Sequence, residues 1–474
     1  MGALDKIEHF VVLMLENRSF DNLLGQLYPK APDFDGLAGT EVNLDAHGTP
    51  IHVWSNAGTD ESTMCIPNPD PGELWTDINT QLFGTAAVPS PTPVPTMEGF
   101  VRNYLAQKNG PVGRNIMHYF TPAQVPVIST LAKNFAVCDG WFASAPCQTW
   151  PNRWFVHCAT ADGRQNNDPV YLPDVDTIYN RLEQAGMKDW KIYFHDMAQA
   201  HTLLRLFLLS DHFHFYQQFQ ADCQSGQLPT YSFIEPQYYS DLAHPENDQH
   251  PPSVVTLGEQ LIADVYNCVR ASKLWKQTML VITYDEHGGC YDHVPPPAAE
   301  EPEPTKQGQV FAFDRYGVRV PAIIISPYVK PGTKFRASGR VPFDHTSIIA
   351  TLRKRFPALG GPLTQRDAGA PDLDVVLSLP TPANNGPQPR LKALPYAPTP
   401  AVAAERHAAP LNDNQRALVG LAANFPDTPV ANLRAHLAAV KAGGVKQPPP
   451  ELTTDVRTAS AFVKKQVGNL FSSV

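Results

Sequence analysis

The sequence predicts an α/β protein, a mainly parallel sheet covered on both faces, and three observations carry that prediction. Short β-branched apolar runs such as Val281-Ile282-Thr283 and Ile323-Ile324-Ile325 recur along the chain and read as strands buried on both faces. Helical periodicity separates several of them, as the crossovers of a parallel sheet require. Polar and ionisable residues collect where the runs stop, which is where ligands bind in such sheets.

The first run, residues 7 to 15, ends in Glu16-Asn17-Arg18-Ser19-Phe20-Asp21, and Ser19 or Asn17 is placed to cap a helix begun by Phe20 to Leu24. The same residues also read as a plain strand-to-helix turn. Residues 28 to 96, with a Pro-rich stretch at 90 to 95, read as a long loop covering or bordering a site. Helical patterns follow at 97 to 107 and 124 to 134, then a strand-like run at 135 to 142. Small residues and Pro146 make the next segment a loop, and Pro151 suits the first turn of a helix running on to Ala159. Thr149 then lies at the helix mouth, where free N–H groups and the positive end of the dipole favour an alkoxide or a phosphoryl group. An ordinary Thr N-cap would look the same.

A helix over 177 to 186 leads to the strand Trp190 to Phe194, which ends in His195-Asp196. Residues 201 to 220 read as helical and aromatic-rich, Leu228 to Pro236 as a strand with Glu235 at its end, and 257 to 271 as a helix. The central strand ends in Asp285-Glu286, Gly288-Gly289 lets the chain turn at once, and Asp292-His293 returns beyond the turn. An acidic Pro-rich excursion (295 to 308), a strand within 317 to 327 and a helix opened by Asp344 complete this part. Composition changes near residue 380. Residues 1–380 are therefore expected to form the catalytic domain, and 381–474 a Pro/Ala-rich arm followed by helices near 413 to 423, 428 to 442 and 453 to 471. No catalytic pattern occurs in that tail, so docking or homo-oligomerisation is its expected role.

A formal charge of -9 without a dense Lys/Arg cluster excludes nucleic acid as the main partner. Seven scattered cysteines without a CxxC pair fit reduced thiols rather than a disulfide framework. No apolar run approaches the roughly 20 residues of a transmembrane helix. The chain as given is expected to be cytoplasmic, or secreted or periplasmic if a leader has been removed.

Two carboxylates side by side at the end of a buried strand repel one another unless a cation lies between them. Glu16, Asn17, Asp285 and Glu286 with the Thr149 hydroxyl make an all-oxygen donor set for one divalent ion: Ca, Mg or Mn by hardness, or Zn, which carboxylates also hold. Such an ion would lower the Thr149 pKa and neutralise a phosphoryl group in transfer. Asn152 and Arg153 can donate to anionic oxygens, and His195, His250 and Asp292-His293 are candidates to stabilise those oxygens or protonate a leaving alcohol.

The segments Glu16 to Asp21, Gln148 to Arg153, Asn247 to Pro251, Tyr284 to Val294 and Gly317 to Pro321 resemble, in order, those of the non-specific phospholipase C and acid phosphatase family, a branch of the alkaline phosphatase superfamily. The resemblance runs from residue 7 to about 367. It implies a three-layer α/β/α sandwich and a metal-dependent phosphoester hydrolase working through a phosphothreonine. It places the nucleophile on Thr149, the metal on Glu16, Asn17, Thr149, Asp285 and Glu286, and His195 and His250 beside the phosphate. His287, His293 and His345 lie in matching motifs without an assigned role. Cys290 stands where relatives often have an aromatic residue and Cys147 where they commonly have Gly. The expected reaction is of phospholipase C type on a phospholipid or a small phosphorylated molecule. The alternatives are a phosphomonoesterase of small soluble esters and a non-catalytic phospho-ligand-binding protein.

Overall fold

The computed structural model describes residues 2–88, 92–107, 110–169, 171–305, 309–387, 390–427, 433–443 and 446–471. Its centre is an eight-stranded sheet. In chain order the strands are β1 (His9–Leu15), β2 (Ala136–Cys138), β3 (Trp190–Phe194), β4 (Phe213–Phe215), β5 (Tyr231–Ile234), β6 (Thr278–Tyr284), β7 (Ala322–Ile325) and β8 (Thr333–Phe335). Their spatial order is β8-β2-β7-β6-β1-β5-β3-β4, and every neighbouring pair is parallel except the two that involve β7.

All seven residues of β6 and six of the seven in β1 are buried, the consequence of helical layers on both faces. One layer holds α2 (Pro126–Asn134) and α4 (Val255–Ala271), which pack together; the other holds α3 (Thr149–Cys158) against α5 (Thr346–Arg355). The first layer is tied by the buried Glu259, whose carboxylate accepts the N–H groups of Val127 and Ile128, at 2.6 and 2.9 Å, at the open end of α2. This is the α/β/α sandwich expected from the sequence.

Three local expectations change. Residues 201 to 220 hold the edge strand β4, hidden within a run of aromatic and His residues that satisfies either period. The expected loop of 28 to 96 contains a two-stranded ribbon, Val42–Leu44 with Pro50–His52, and helices Glu61–Met64 and Trp75–Phe83; the last builds a small separate core with Phe100, Tyr104 and Tyr291. The arm of 380 to 411 contains the helix Pro400–His407, which buries no residue. Residues 90, 91, 306–308, 388, 389 and 428–432 of the expected Pro-rich, acidic and helical stretches lie outside the described residues.

The tail is packed against the sheet's core. Helix α6 (Asp413–Ala422) buries Leu418 and Leu421, and α7 (Val456–Phe471) buries Val463 and Leu470 and stacks Phe471 on Phe194 at 5.3 Å. No described helix is long and apolar enough to cross a membrane.

Candidate active site

Strand register assembles the site. Leu15 pairs with Tyr284 across β1 and β6, which sets Glu16 and Asp285 abreast at the strand ends, and Leu13 pairs with Ile234, which brings Glu235 in from β5. All three carboxylates are fully buried. The charge between them is met by Arg153 of α3, with Nη2 3.2 Å from Glu16, Nε 3.0 Å from Asp285 and Nη1 4.0 Å from Glu235. Burial works against the guanidinium, yet these carboxylates and Tyr238 hold its pKa above the usual arginine value.

Thr149 is the first residue of α3. It lies one turn before Arg153, at i and i+4, and therefore on the helix face that meets the strand ends. The hydroxyl is fully buried and has no hydrogen-bond partner. The loop that carries it is braced from within the helix: Asn152 donates to the carbonyls of Ala145, Cys147 and Gln148 at 3.1, 2.8 and 3.2 Å and accepts from Ala145 N–H at 3.0 Å. Asn152 thus spends its amide on positioning.

The two strand-end turns lock together. Asn17 sits in the left-handed region at φ 61° and donates its backbone N–H to Asp285 Oδ1 at 3.2 Å. Gly288 also has positive φ, 59°, and a Cβ there would lie 2.1 Å from the Asn17 carbonyl, so only glycine fits. Glu286 Oε2 accepts from Gly288 N–H at 2.8 Å and lies 3.2 Å from His287 Nδ1, while Oε1 stays without a partner. The Asn17 side chain donates Nδ2 to Glu73 Oε1 at 2.7 Å and leaves Oδ1 without a partner.

Asn17 Oδ1, Glu286 Oε1 and Thr149 Oγ1 are therefore buried oxygens without a hydrogen-bond partner, a costly arrangement in a dry interior. With Asp285 and Glu16 they are hard oxygens, the donor chemistry that Ca, Mg or Mn takes. Asp285 and Glu16 already carry partners; burial first, then the neighbouring Glu16 and Glu286 against the relief from Arg153, push the Asp285 pKa well above the carboxylate range.

Beside this cluster lies a second. His250 is fully buried, with Nδ1 3.4 Å from Glu16 and Nε2 3.3 Å from Asp70 and 3.5 Å from Glu73. Asp70 borders a cavity of about 850 Å³ whose other wall comes from the tail, including Arg406, Asn412 and Arg416. From the same tail Asn414 donates to both oxygens of Glu16, and Gln199 donates to Oε1 at 2.5 Å.

A family model described as the phosphoesterase family matches residues 7–358. The chain belongs to the phosphoesterase family. It is 38% identical over 434 residues to non-specific phospholipase C3 of Arabidopsis thaliana, covering 88% of this chain and 82% of the relative. It is 28% identical over 462 residues to phospholipase C B of Mycobacterium tuberculosis, covering 84% and 83%. The crystal structure of a phosphonate monoester hydrolase of Agrobacterium radiobacter matches 55% of this chain and 72% of its own at 12% identity and a TM-score of 0.30, too slight to carry an argument. The protein is a phospholipase-C-like phosphoester hydrolase.

In this phosphoesterase the remaining motif residues are accounted for by position. His195 donates Nδ1–H to the Glu235 carbonyl at 2.9 Å and stacks on Tyr216 at 4.3 Å; burial pulls its pKa down to about 4. No described contact joins it to the strand-end carboxylates. A carbonyl can only accept, so His345 donates Nε2–H to the Asp285 carbonyl at 2.6 Å, and its Nδ1 receives the Trp141 indole at 3.3 Å. Burial lowers this ring to about 4, against the Asp285 hydrogen bond, and a neutral ring supports the acid couple's backbone. Asp344, two residues before α5 begins, accepts from the N–H of its first residue, Thr346, at 3.1 Å, while the N-cap position itself is His345, and it accepts from Ser144 at 2.8 Å beside the Thr149 loop.

Two Asp/Glu/His groups among the described residues have metal-like spacing: Asp21, Asp292 and His293, and Asp70, Glu73 and His250. The first already holds a cation in Arg319, 3.0 Å from Asp21 and 2.9 Å from Asp292. Asp70, Glu73, Gln199 and Asn414 escaped the sequence reading. Asp70 and Glu73 sit in a loop whose composition carries no period, and Asn414 lies 398 residues from its partner in a helix that otherwise reads as packing.

Proposed function

We propose that the chain cleaves a phosphodiester of phospholipid type on the glycerol side, with Thr149 as nucleophile. The observation that carries this is the buried, unpartnered Thr149 hydroxyl at the mouth of α3, one turn from an arginine clamped to the strand-end carboxylates. The relatives named phospholipase C, at 38% and 28% identity, support the diester over the monoester.

Thr149 Oγ1 attacks phosphorus as its hydroxyl gives up its proton, the bond to the glycerol oxygen breaks, and the diacylglycerol alkoxide takes up one proton and leaves as the alcohol. Water then attacks the phosphothreonine, breaks the Oγ1–P bond and releases the phosphorylated head group. Glu16, Asn17, Thr149, Asp285 and Glu286 would hold the divalent ion, which when bound lowers the hydroxyl's pKa and offsets phosphoryl charge. Arg153 has Nη1 free of hydrogen bonds and donates to an equatorial oxygen. His250 lies between Glu16, 3.4 Å from its Nδ1, and the Asp70 and Glu73 carboxylates beside its Nε2, and so is placed to position Glu16. Burial opposes its charge, but Glu73 and Asp70 outweigh burial and raise its pKa well above the ordinary value.

The test is Thr149→Ala beside Thr149→Ser on p-nitrophenyl phosphorylcholine. The alanine variant is expected to lose turnover with its melting temperature kept, and the serine variant to retain activity and yield a serine esterified with phosphorylcholine on acid quench. Surviving activity in Thr149→Ala rules the nucleophile out. A higher rate on p-nitrophenyl phosphate than on the diester selects the monoesterase instead.

A further inference from the structure

We propose that Asp70, Glu73 and His250 form a second divalent-cation site, separate from the oxygen cluster at the strand ends and opening on the cavity walled by the tail. The site stands on its own geometry, whatever ester is cleaved.

Asp70 Oδ1, Glu73 Oε1 and His250 Nε2 all lie within 4.8 Å of one another. The imidazole nitrogen can carry a single hydrogen yet faces two carboxylates, at 3.3 and 3.5 Å. Neither contact has hydrogen-bond geometry: both ring nitrogens of the fully buried His250, and Asp70 Oδ1, lack a hydrogen-bond partner. Among the described residues no lysine or arginine pairs with Asp70 or Glu73. That sets this cluster apart from the strand-end carboxylates and from the Asp21 and Asp292 pair, which hold Arg153 and Arg319.

The spacing suits a metal. Donors around a tetrahedral ion at roughly 2.0–2.1 Å stand about 3.3–3.4 Å from each other, close to the two separations at His250. The other ring nitrogen completes the pattern. With Nε2 on the ion, Nδ1 keeps its hydrogen and lies 3.4 Å from Glu16 Oε2, beside the kind of carboxylate to which metal-bound histidines commonly donate. Glu73 is steadied by the Asn17 amide. Imidazole with two carboxylates favours Zn, Mn or Co over Ca and Mg, and three protein donors leave a position open toward the cavity. His250 and Asn17 thus join two cation sites of different hardness, one all-oxygen and one mixed.

The experiment uses the full chain, stripped with chelator, reloaded with Zn²⁺ or Co²⁺ and desalted. The wild type is expected to keep two equivalents of zinc per chain by mass spectrometry. Glu73→Gln and Asp70→Asn are each expected to keep one, and Glu286→Gln also one. The visible bands of the cobalt protein should vanish in Glu73→Gln and persist in Glu286→Gln. No zinc in the wild type, or as much zinc in both Asp70→Asn and Glu73→Gln as in the wild type, overturns the proposal; a single wild-type equivalent that is lost in Glu73→Gln and kept in Glu286→Gln counts against the strand-end site alone. Asp70 borders the cavity, so its variant reads the site even if Glu73→Gln fails to fold. None of these readings depends on turnover, so failure of the phospholipase assignment leaves them intact.

Discussion

The side-chain amide of Asn414 donates to both carboxylate oxygens of Glu16, at 3.0 and 2.9 Å. The helix that carries it is fixed on either side, because Gln415 donates to the Tyr238 carbonyl at 2.7 Å and accepts at its own carbonyl from the Tyr239 hydroxyl at 2.6 Å. Asn414 is a positioning residue that orients a carboxylate of the proposed metal set. Its removal, as Asn414→Ala, strips the buried Glu16 of a hydrogen bond worth about 1.5–3 kcal/mol to a charged group. A fall in kcat of about 10- to 100-fold follows if that orientation matters in the transition state. KM should change little. Steady-state kinetics with p-nitrophenyl phosphorylcholine read both, and an unaltered kcat would show that the tail only packs.

Gly288→Ala probes the lock between the two turns. Its added methyl meets the Asn17 carbonyl at 2.1 Å and the Asn17 Cβ at 2.7 Å, in a backbone of positive φ. The expected cost is about 1–3 kcal/mol of stability or more, together with lost activity as Asn17 and Glu286 separate. Gly339→Ala, where nothing lies within 4 Å, serves as the control and should stay within about 0.5 kcal/mol. Urea unfolding of the pair decides it: equal midpoints would remove the steric argument.

The Arg319 network predicts a pH dependence. His293 faces Asp21 at 2.6 Å through Nδ1 and Asp35 at 3.1 Å through Nε2, with Arg319, Asp292 and Lys30 nearby. Burial opposes its charge, and the hydrogen bonds to Asp21 and Asp35 prevail, raising its pKa to about 10. A folded pKa above the unfolded value of about 6.5 contributes stability that is full below that value and is lost as pH rises through about 10. The difference in unfolding midpoint between wild type and His293→Gln should therefore be large at pH 6 and shrink toward pH 10. A difference that is flat or grows with pH contradicts the assignment.

The parts of the site that lie on central strands were legible in the sequence. Strands β1 and β6 announce themselves because burial on both faces leaves an uninterrupted apolar run, and a carboxylate ending such a run stands out. Their parallel, abreast pairing follows from the fold class. The direction of β7 was not legible, since Ala322–Ile325 would look the same running either way. Nor was the manner in which the acids are neutralised. Arg153 appeared in the sequence as one donor to anionic oxygens among several, whereas its reach across Glu16, Glu235 and Asp285 depends on the register of three strands and the seating of α3. Asn152 illustrates the reverse case: a polar residue beside a nucleophile invites a chemical role, yet its amide is wholly taken up by the loop.

Glu16 and its amide partner are separated by 398 residues of chain. Ribosome-bound chains that have not yet reached Asn414 therefore carry a Glu16 still lacking that amide. Maturation of the hydrolase is in this sense timed by translation itself.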